Sequence, residues 1–312
     1  MDRRRTAPHV GLSSSLPLHL QQPRPFNLTI ASAESFRPPA WDDRDPAVHI
    51  HRNHDGSIWA YSYARGSEQW MHLPGVASFR FGSHDGEAVV IPDAQTPAVQ
   101  VSVIEDAYQR AVLPMVLHAH GQEVLHASAV IMPRGVVALC GRSQTGKSTT
   151  AYGLHRRGHR VWADDALVFD ASAESVDAIP YPHRLRIREE AAEYFDLHEL
   201  RRRDTSSWTA LEQAQDDPAP LACLFLLERD IESSGPVELV RLSSTQAFAN
   251  VMTYAYLFRL DDPERKRQML EKYLALMTRV PVFRMRFRAT LDQLPAMLDQ
   301  IESAVQAMPV EP

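Results

Sequence analysis

Eight residues of this 312-residue chain, Gly141-Arg142-Ser143-Gln144-Thr145-Gly146-Lys147-Ser148, match the phosphate-cradling pattern G-x-x-x-x-G-K-[ST] at every fixed position. A glycine-bearing turn of this kind aims several backbone N–H groups at phosphate oxygens, and a helix starting behind it adds partial positive charge. Gly141, Ser143, Gln144, Thr145, Gly146 and Thr149 are therefore the expected cradle for a nucleoside triphosphate. Lys147 is placed to reach the outer phosphates. Ser148 would offer its hydroxyl to Mg²⁺, a cation that takes a few oxygen ligands and keeps several waters.

The flanks agree with that chemistry. The apolar run Val136-Val137-Ala138-Leu139-Cys140 reads as a buried strand leading into the turn, and Thr149 to Arg157 reads as a helix leading out. Gly158 suits the left-handed position that closes a helix. Then comes Arg160-Val161-Trp162-Ala163-Asp164-Asp165-Ala166-Leu167-Val168-Phe169, a strand carrying two adjacent carboxylates. Successive strand side chains point to opposite faces, so Asp164 and Asp165 can share one site only if the strand ends or bulges there. A break is expected at the pair.

These segments resemble the HPr kinase/phosphorylase family, whose catalytic domain is similar in architecture to phosphoenolpyruvate carboxykinase. The resemblance is carried by His126-Ala127-Ser128-Ala129-Val130, by Gly141 to Ser148, by Arg157-Gly158-His159-Arg160 and by Ala163-Asp164-Asp165, with only one helix and one strand between the loop lysine and the carboxylates. It implies an α/β fold with a P-loop catalytic domain, ATP and Mg²⁺ as cofactors, Lys147 on the transferring phosphate, Ser148 and Asp165 on the metal, Asp164 as general base, and His126 near that base, either orienting the carboxylate or stabilising its charge. Thr149 stands where bifunctional members carry an acidic residue, which points away from phosphorolysis. It points toward shorter relatives that act on peptide natural products. Those relatives also share a Val-Pro-Val-plus-arginine strand, here Val280-Pro281-Val282-Phe283-Arg284. In lasso-peptide members the acceptor is a serine hydroxyl of a precursor peptide.

Size and charge narrow the field. At 312 residues and 44% hydrophobic, the chain can build one large or two modest cores. A net charge of −6 excludes a general nucleic-acid binder, which would carry a basic excess. Cys140 and Cys223 form neither a disulfide framework nor a metal cluster. No stretch has the continuous apolar length of a signal peptide or a membrane span, so a cytoplasmic location without membrane partners is expected. Homo-oligomer formation is left open.

Along the chain, residues 1–25 are rich in Pro, Arg, Ser and His and read as a poorly ordered tail. Residues 26–104 read as a small, mainly antiparallel β domain: Asn27-Leu28-Thr29-Ile30, Ala47 to Ile50, Ser57 to Tyr63, Ser78 to Phe81 and Ala88 to Ile91 are short β-type runs, with turn dipeptides at Asp55-Gly56 and Asp85-Gly86. Residues 105–312 are assigned to the catalytic domain, beginning with a helix from Ile104 to His118. Ser244 or Thr245 is expected to cap a later helix, Pro263 to open the next, and Thr290 the last.

Arg184-Leu185-Arg186-Ile187-Arg188 and Arg284-Met285-Arg286-Phe287-Arg288 each put three arginines on one face of a strand. Each run fits either a phosphate or acidic-peptide clamp or a solvated strand face over a packed one. Arg201-Arg202-Arg203 reads as an exposed loop edge. Three functions fit the whole: a kinase for a serine on a peptide or small protein, a kinase for a small-molecule hydroxyl, and a non-catalytic nucleotide-binding regulator.

Overall fold

The computed structural model describes residues 11–12, 27–30, 49–52, 55–65, 68–82, 87–93, 101–172, 174–180, 183–197, 208–213, 217–230, 235–256, 263–288 and 290–309. These fall into two compact units, one running to His120 and one starting at Gly121. Most of the expected 1–25 tail, the Asp85-Gly86 turn and Arg201–Arg203 lie outside the described residues. Among the described residues, no helix is long and apolar enough to cross a membrane.

The first unit holds seven strands: β1 (Gly11–Leu12), β2 (Asn27–Ile30), β3 (His49–Arg52), β4 (Ile58–Arg65), β5 (Glu68–Leu73), β6 (Ala77–Gly82) and β7 (Glu87–Pro92). They form one sheet in the order β1-β2-β7-β6-β5-β4-β3. Neighbours pair antiparallel except β2 with β7, which run parallel. Alternation explains β6: Ala77, Phe79 and Phe81 are fully buried, the pattern of a strand with one face on a core. The helical segment α1 (Val101–Ala107), a π-helical turn (Tyr108–Val112) and α2 (Leu113–Ala119) follows. Pro114 has no N–H for an α-helical bond to the Arg110 carbonyl, and the wider turn lies directly before it. Ile104, Tyr108 and Val112 are buried, and Phe79 of β6 stacks on Tyr108 at 6.0 Å. This segment therefore packs with the β unit, and the second unit starts at Gly121 rather than at the expected residue 105.

The second unit contains β8 (Glu123–Leu125), β9 (Ala127–Met132), β10 (Gly135–Cys140), α3 (Lys147–Arg156), β11 (Arg160–Ala163), β12 (Leu167–Ala171), β13 (Val176–Ile179), β14 (His183–Ile187), α4 (Glu189–Tyr194), β15 (Trp208–Gln213), β16 (Ala219–Arg229), β17 (Glu238–Arg241), α5 (Ser244–Val251), α6 (Pro263–Arg279), β18 (Val282–Phe287) and α7 (Leu294–Gln306). β16 organises it. Its apolar run, buried from Cys223 to Leu227, pairs parallel with β10 on one side and with β18 on the other. Its first residues pair antiparallel with β13, leading through β12 to β8. β9 and then β11 extend the sheet beyond β10, and β17 flanks β18. The unit is thus a mixed α/β structure, in which the C-terminal ends of the parallel β10, β16 and β18 lie at one edge.

Helices α3 and α7 cover one face. Ala151 and Leu154 of α3 pack with Leu294, Leu298 and Ile301 of α7 over Val137, Leu139, Phe225 and Met285. Each such fully buried side chain contributes roughly 1.5–3 kcal/mol. The hairpin joining β9 to β10 depends on Gly135, at φ +123°, where an added Cβ would lie 2.3 Å from the Pro220 carbonyl oxygen. On the other flank, α6 is anchored to β8 by a buried ion pair between Arg265 and Glu123 at 2.7 Å. Helix α5 starts one residue earlier than expected: Ser243 is the cap, in a reciprocal capping box with Gln246.

Candidate active site

β10 ends at Cys140, the turn occupies Gly141 to Gly146, and α3 begins at Lys147. Gly141 is required by close packing, since a Cβ there would sit 2.5 Å from Thr145 Oγ1 and 3.2 Å from the Leu227 carbonyl. The outer turn exposes Ser143 and Gln144. Gln144 holds a left-handed φ of +70° and Gly146 one of +100°. Thr145 is buried and closes the turn by donating its hydroxyl to the Arg142 carbonyl at 2.6 Å. At the far end of α3, Gly158 N–H and His159 N–H return to the carbonyls of His155 and Leu154, the paired bonds of a glycine helix stop.

Lys147 is only 6% exposed and spends its three ammonium protons inside the site. It donates to the Gly141 carbonyl at 3.0 Å, to the Arg142 carbonyl at 3.2 Å and to His126 Nε2 at 3.0 Å. An ammonium can only donate, so His126 Nε2 is unprotonated and Nδ1 carries the hydrogen. That hydrogen reaches the Asp165 carbonyl at 3.0 Å. Burial lowers the Lys147 pKa, opposed by the charges of Asp165 and Asp164. Burial and the neighbouring Lys147 charge likewise lower the His126 pKa, which keeps the imidazole neutral.

The strand break expected at the paired carboxylates is present. β11 slips register against β9 between Val161 and Ala163, stops at Ala163, and Asp165 turns left-handed at φ +64° before β12 begins. This turn lets both aspartates serve one site. Asp164 is 5% exposed and points at the loop helix: Oδ1 accepts from Ser148 Oγ at 2.8 Å and from Ser128 Oγ at 2.6 Å, and Oδ2 accepts the Arg186 backbone N–H at 3.1 Å. Burial, and then the adjacent Asp165, push the Asp164 carboxyl up to about 7, against the pull of those three donors. Asp165 stays half-exposed, with its charge felt by both Lys147 and His126.

One more wall was not foreseen. Residues Tyr254 to Tyr256 lie along the end of β8: the Tyr254 carbonyl accepts the His126 N–H at 2.7 Å, Ala255 bridges Leu125, and Tyr256 N–H donates to the Val124 carbonyl at 2.9 Å. Tyr256 then donates its hydroxyl to the Asp165 carbonyl at 3.2 Å, and its ring meets His126 edge to face at 6.0 Å.

Lys147, Ser148, Asp164, Asp165 and His126 therefore meet within one constellation, and Thr149 lies half-buried in the first turn of α3. Ser128, Tyr256, Arg229 and the Arg186 N–H are the members that sequence reasoning left without a role. Ser128 had a signal, because His126 and Ser128 are polar at alternate positions of an otherwise apolar strand. Of the two arginine runs, the first lies at the site: Leu185 and Ile187 are buried in the α3 core while Arg184 and Arg186 are half-buried on the other face. In the second, Arg286 pairs with Glu228 and Arg288 with Asp292.

The donor set fits a magnesium nucleotide. Ser148 Oγ and two carboxylates offer hard oxygens beside a buried lysine at a helix start. Among the described residues, no group of three or more His, Cys, Asp or Glu is placed to hold a metal ion.

No family model and no curated protein matches this chain. Among solved structures, it is similar to the Hpr(Ser) kinase/phosphatase from Coxiella burnetii, at 11% identity and a TM-score of 0.32, over 58% of this chain and 95% of that one. At that score the likeness carries no functional weight.

Proposed function

We propose that this chain is an ATP- and Mg²⁺-dependent phosphotransferase that acts on a serine hydroxyl of a peptide or small protein. The observation that carries this reading is the 2.8 Å contact between Ser148, first hydroxyl of the loop helix, and Asp164, whose carboxyl titrates near neutrality. A general base works best when its pKa lies near the working pH, and here such a group sits beside the expected phosphate cradle.

In the proposed reaction the acceptor oxygen bonds to the terminal phosphorus as the bond to the bridging oxygen breaks, and the hydroxyl proton passes to Asp164. Lys147 turns one of its donors from a loop carbonyl to the transferring phosphate. Ser148, together with Asp165, would hold magnesium, which neutralises phosphate charge when bound. His126, kept neutral with its hydrogen on Nδ1, accepts from Lys147 and limits the directions that ammonium can take. Positioning and charge neutralisation supply most of the rate in such a site.

The peptide acceptor, and the lasso-type precursor in particular, rests on the residues that resemble the HPr kinase family; a cytoplasmic setting is proposed because the reaction needs ATP. The test is direct. Incubation with ATP, Mg²⁺ and candidate acceptors, read by mass spectrometry, should show phosphate on a serine. Asp164→Asn should lower transfer by at least about a hundredfold while nucleotide binding persists. Undiminished turnover in that variant removes Asp164 from the base role, and wild-type protein that binds no nucleotide removes the whole reading.

A further inference from the structure

Gln144 is a non-glycine residue at φ +70°, at the outer bend of the loop. Such a conformation crowds Cβ against the backbone and persists only where the surroundings hold it. Thr145 closes the turn on the Arg142 carbonyl, and Arg229, at the end of β16, donates Nη1 to the Gln144 carbonyl at 2.9 Å.

The placement is a product of topology. β10 and β16 are parallel neighbours, with Cys140 level with Leu226, so the residues following each strand emerge side by side. Arg229 follows on β16 as the loop follows on β10. In open sheets, ligands bind beyond the carboxyl ends of parallel strands.

We infer that Arg229 is a positioning residue for the phosphate loop: its guanidinium holds the Gln144 carbonyl outward, keeps the strained bend formed and thereby sets nucleotide affinity. The inference rests on the phosphotransferase reading and specifies which arginine serves that site. Arg286 and Arg288 are directed to Glu228 and Asp292, and Arg186 gives the site its backbone N–H. The Arg229 guanidinium reaches the loop itself, at the Gln144 carbonyl.

The experiment separates holding the bend from touching the phosphate. Glycine adopts a left-handed φ at no steric cost, so it makes the restraint on residue 144 unnecessary. Affinity for a fluorescent ATP analogue with Mg²⁺ is measured in wild type, Arg229→Met, Arg229→Lys and the double variant Arg229→Met/Gln144→Gly. Losing a charged donor to a carbonyl predicts affinity about tenfold weaker in Arg229→Met. Lysine, which can still donate to the carbonyl, should recover most of it, and the double variant should return to within about threefold of wild type.

Unchanged affinity in Arg229→Met overturns the inference. So does a loss that Gln144→Gly fails to rescue, since a direct phosphate contact would be indifferent to the bend. Thermal unfolding of the same four proteins guards against a general loss of fold, which would lower the midpoint without rescue by glycine. Wild-type protein that fails to bind the analogue sinks the phosphotransferase reading, and this inference with it; an anomaly confined to the variants sinks this inference alone.

Discussion

Asp164→Asn should stabilise the protein progressively as pH rises. In the folded state, burial and Asp165 lift this carboxyl from 3.8 to about 7. The unfolded chain ionises the group near its ordinary value, while the native chain keeps the proton until near neutrality. Between those limits the native state binds more protons, so stability falls as pH rises, and the gap corresponds to about 4 kcal/mol. Asparagine cannot ionise and lacks this component. The variant carries a constant offset, because its amide replaces one of the two accepting oxygens with a donor, but that offset does not change with pH. The quantity to follow is the unfolding free energy of the variant minus that of wild type, from urea titrations in metal-free buffer at half-unit pH steps. It should climb by up to about 4 kcal/mol between about pH 4 and pH 7 and then level off, with titrating groups remote from Asp164 cancelling. Two parallel stability curves would refute the reasoning, because they would mean that Asp164 ionises in the folded protein as readily as in the unfolded one.

Gly135→Ala should destabilise the second unit by more than about 3 kcal/mol, since the methyl meets the Pro220 carbonyl and the backbone is left-handed; calorimetry showing a midpoint near wild type would contradict the hairpin geometry. Arg265→Met should lower stability by about 3–5 kcal/mol by leaving Glu123 buried without its charge partner, with the loss shrinking in Glu123→Gln/Arg265→Met, read by denaturant unfolding.

Local signals in the sequence carried the loop, the helix that follows it and the paired aspartates, because each has a short-range cause: glycines at special backbone angles, an apolar strand before them, and a period-two conflict that forces a break at Asp164-Asp165. Leu221-Ala222-Cys223-Leu224-Phe225-Leu226-Leu227, an unbroken apolar run, is likewise the sequence form of a central strand, which needs no alternation. What escaped was set by long-range pairing. Nothing near Tyr256 in sequence says that its chain lies along β8, and Arg229 is aimed at Gln144 only because two distant strands run parallel. The helix expected from Ile104 to His118 has an apolar face visible in sequence, but nothing local names Phe79 of the β unit as the residue that Tyr108 stacks on. The β5 strand, Glu68–Leu73, passed unread because Glu68, Gln69 and His72 break its apolar run.

Lys147 has no idle proton. Its acceptors at rest are two amide carbonyls and an imidazole, all without net charge, so an incoming group must surpass them to draw the ammonium away. Neutral ligands gain little by that exchange, whereas a polyanion gains a Coulombic attraction to a buried ammonium. On the proposed phosphotransferase reading, discrimination for phosphate is built into what the lysine must abandon. Departure of product then has a ready end point, because the same carbonyls take the cation back without leaving it bare in the interior.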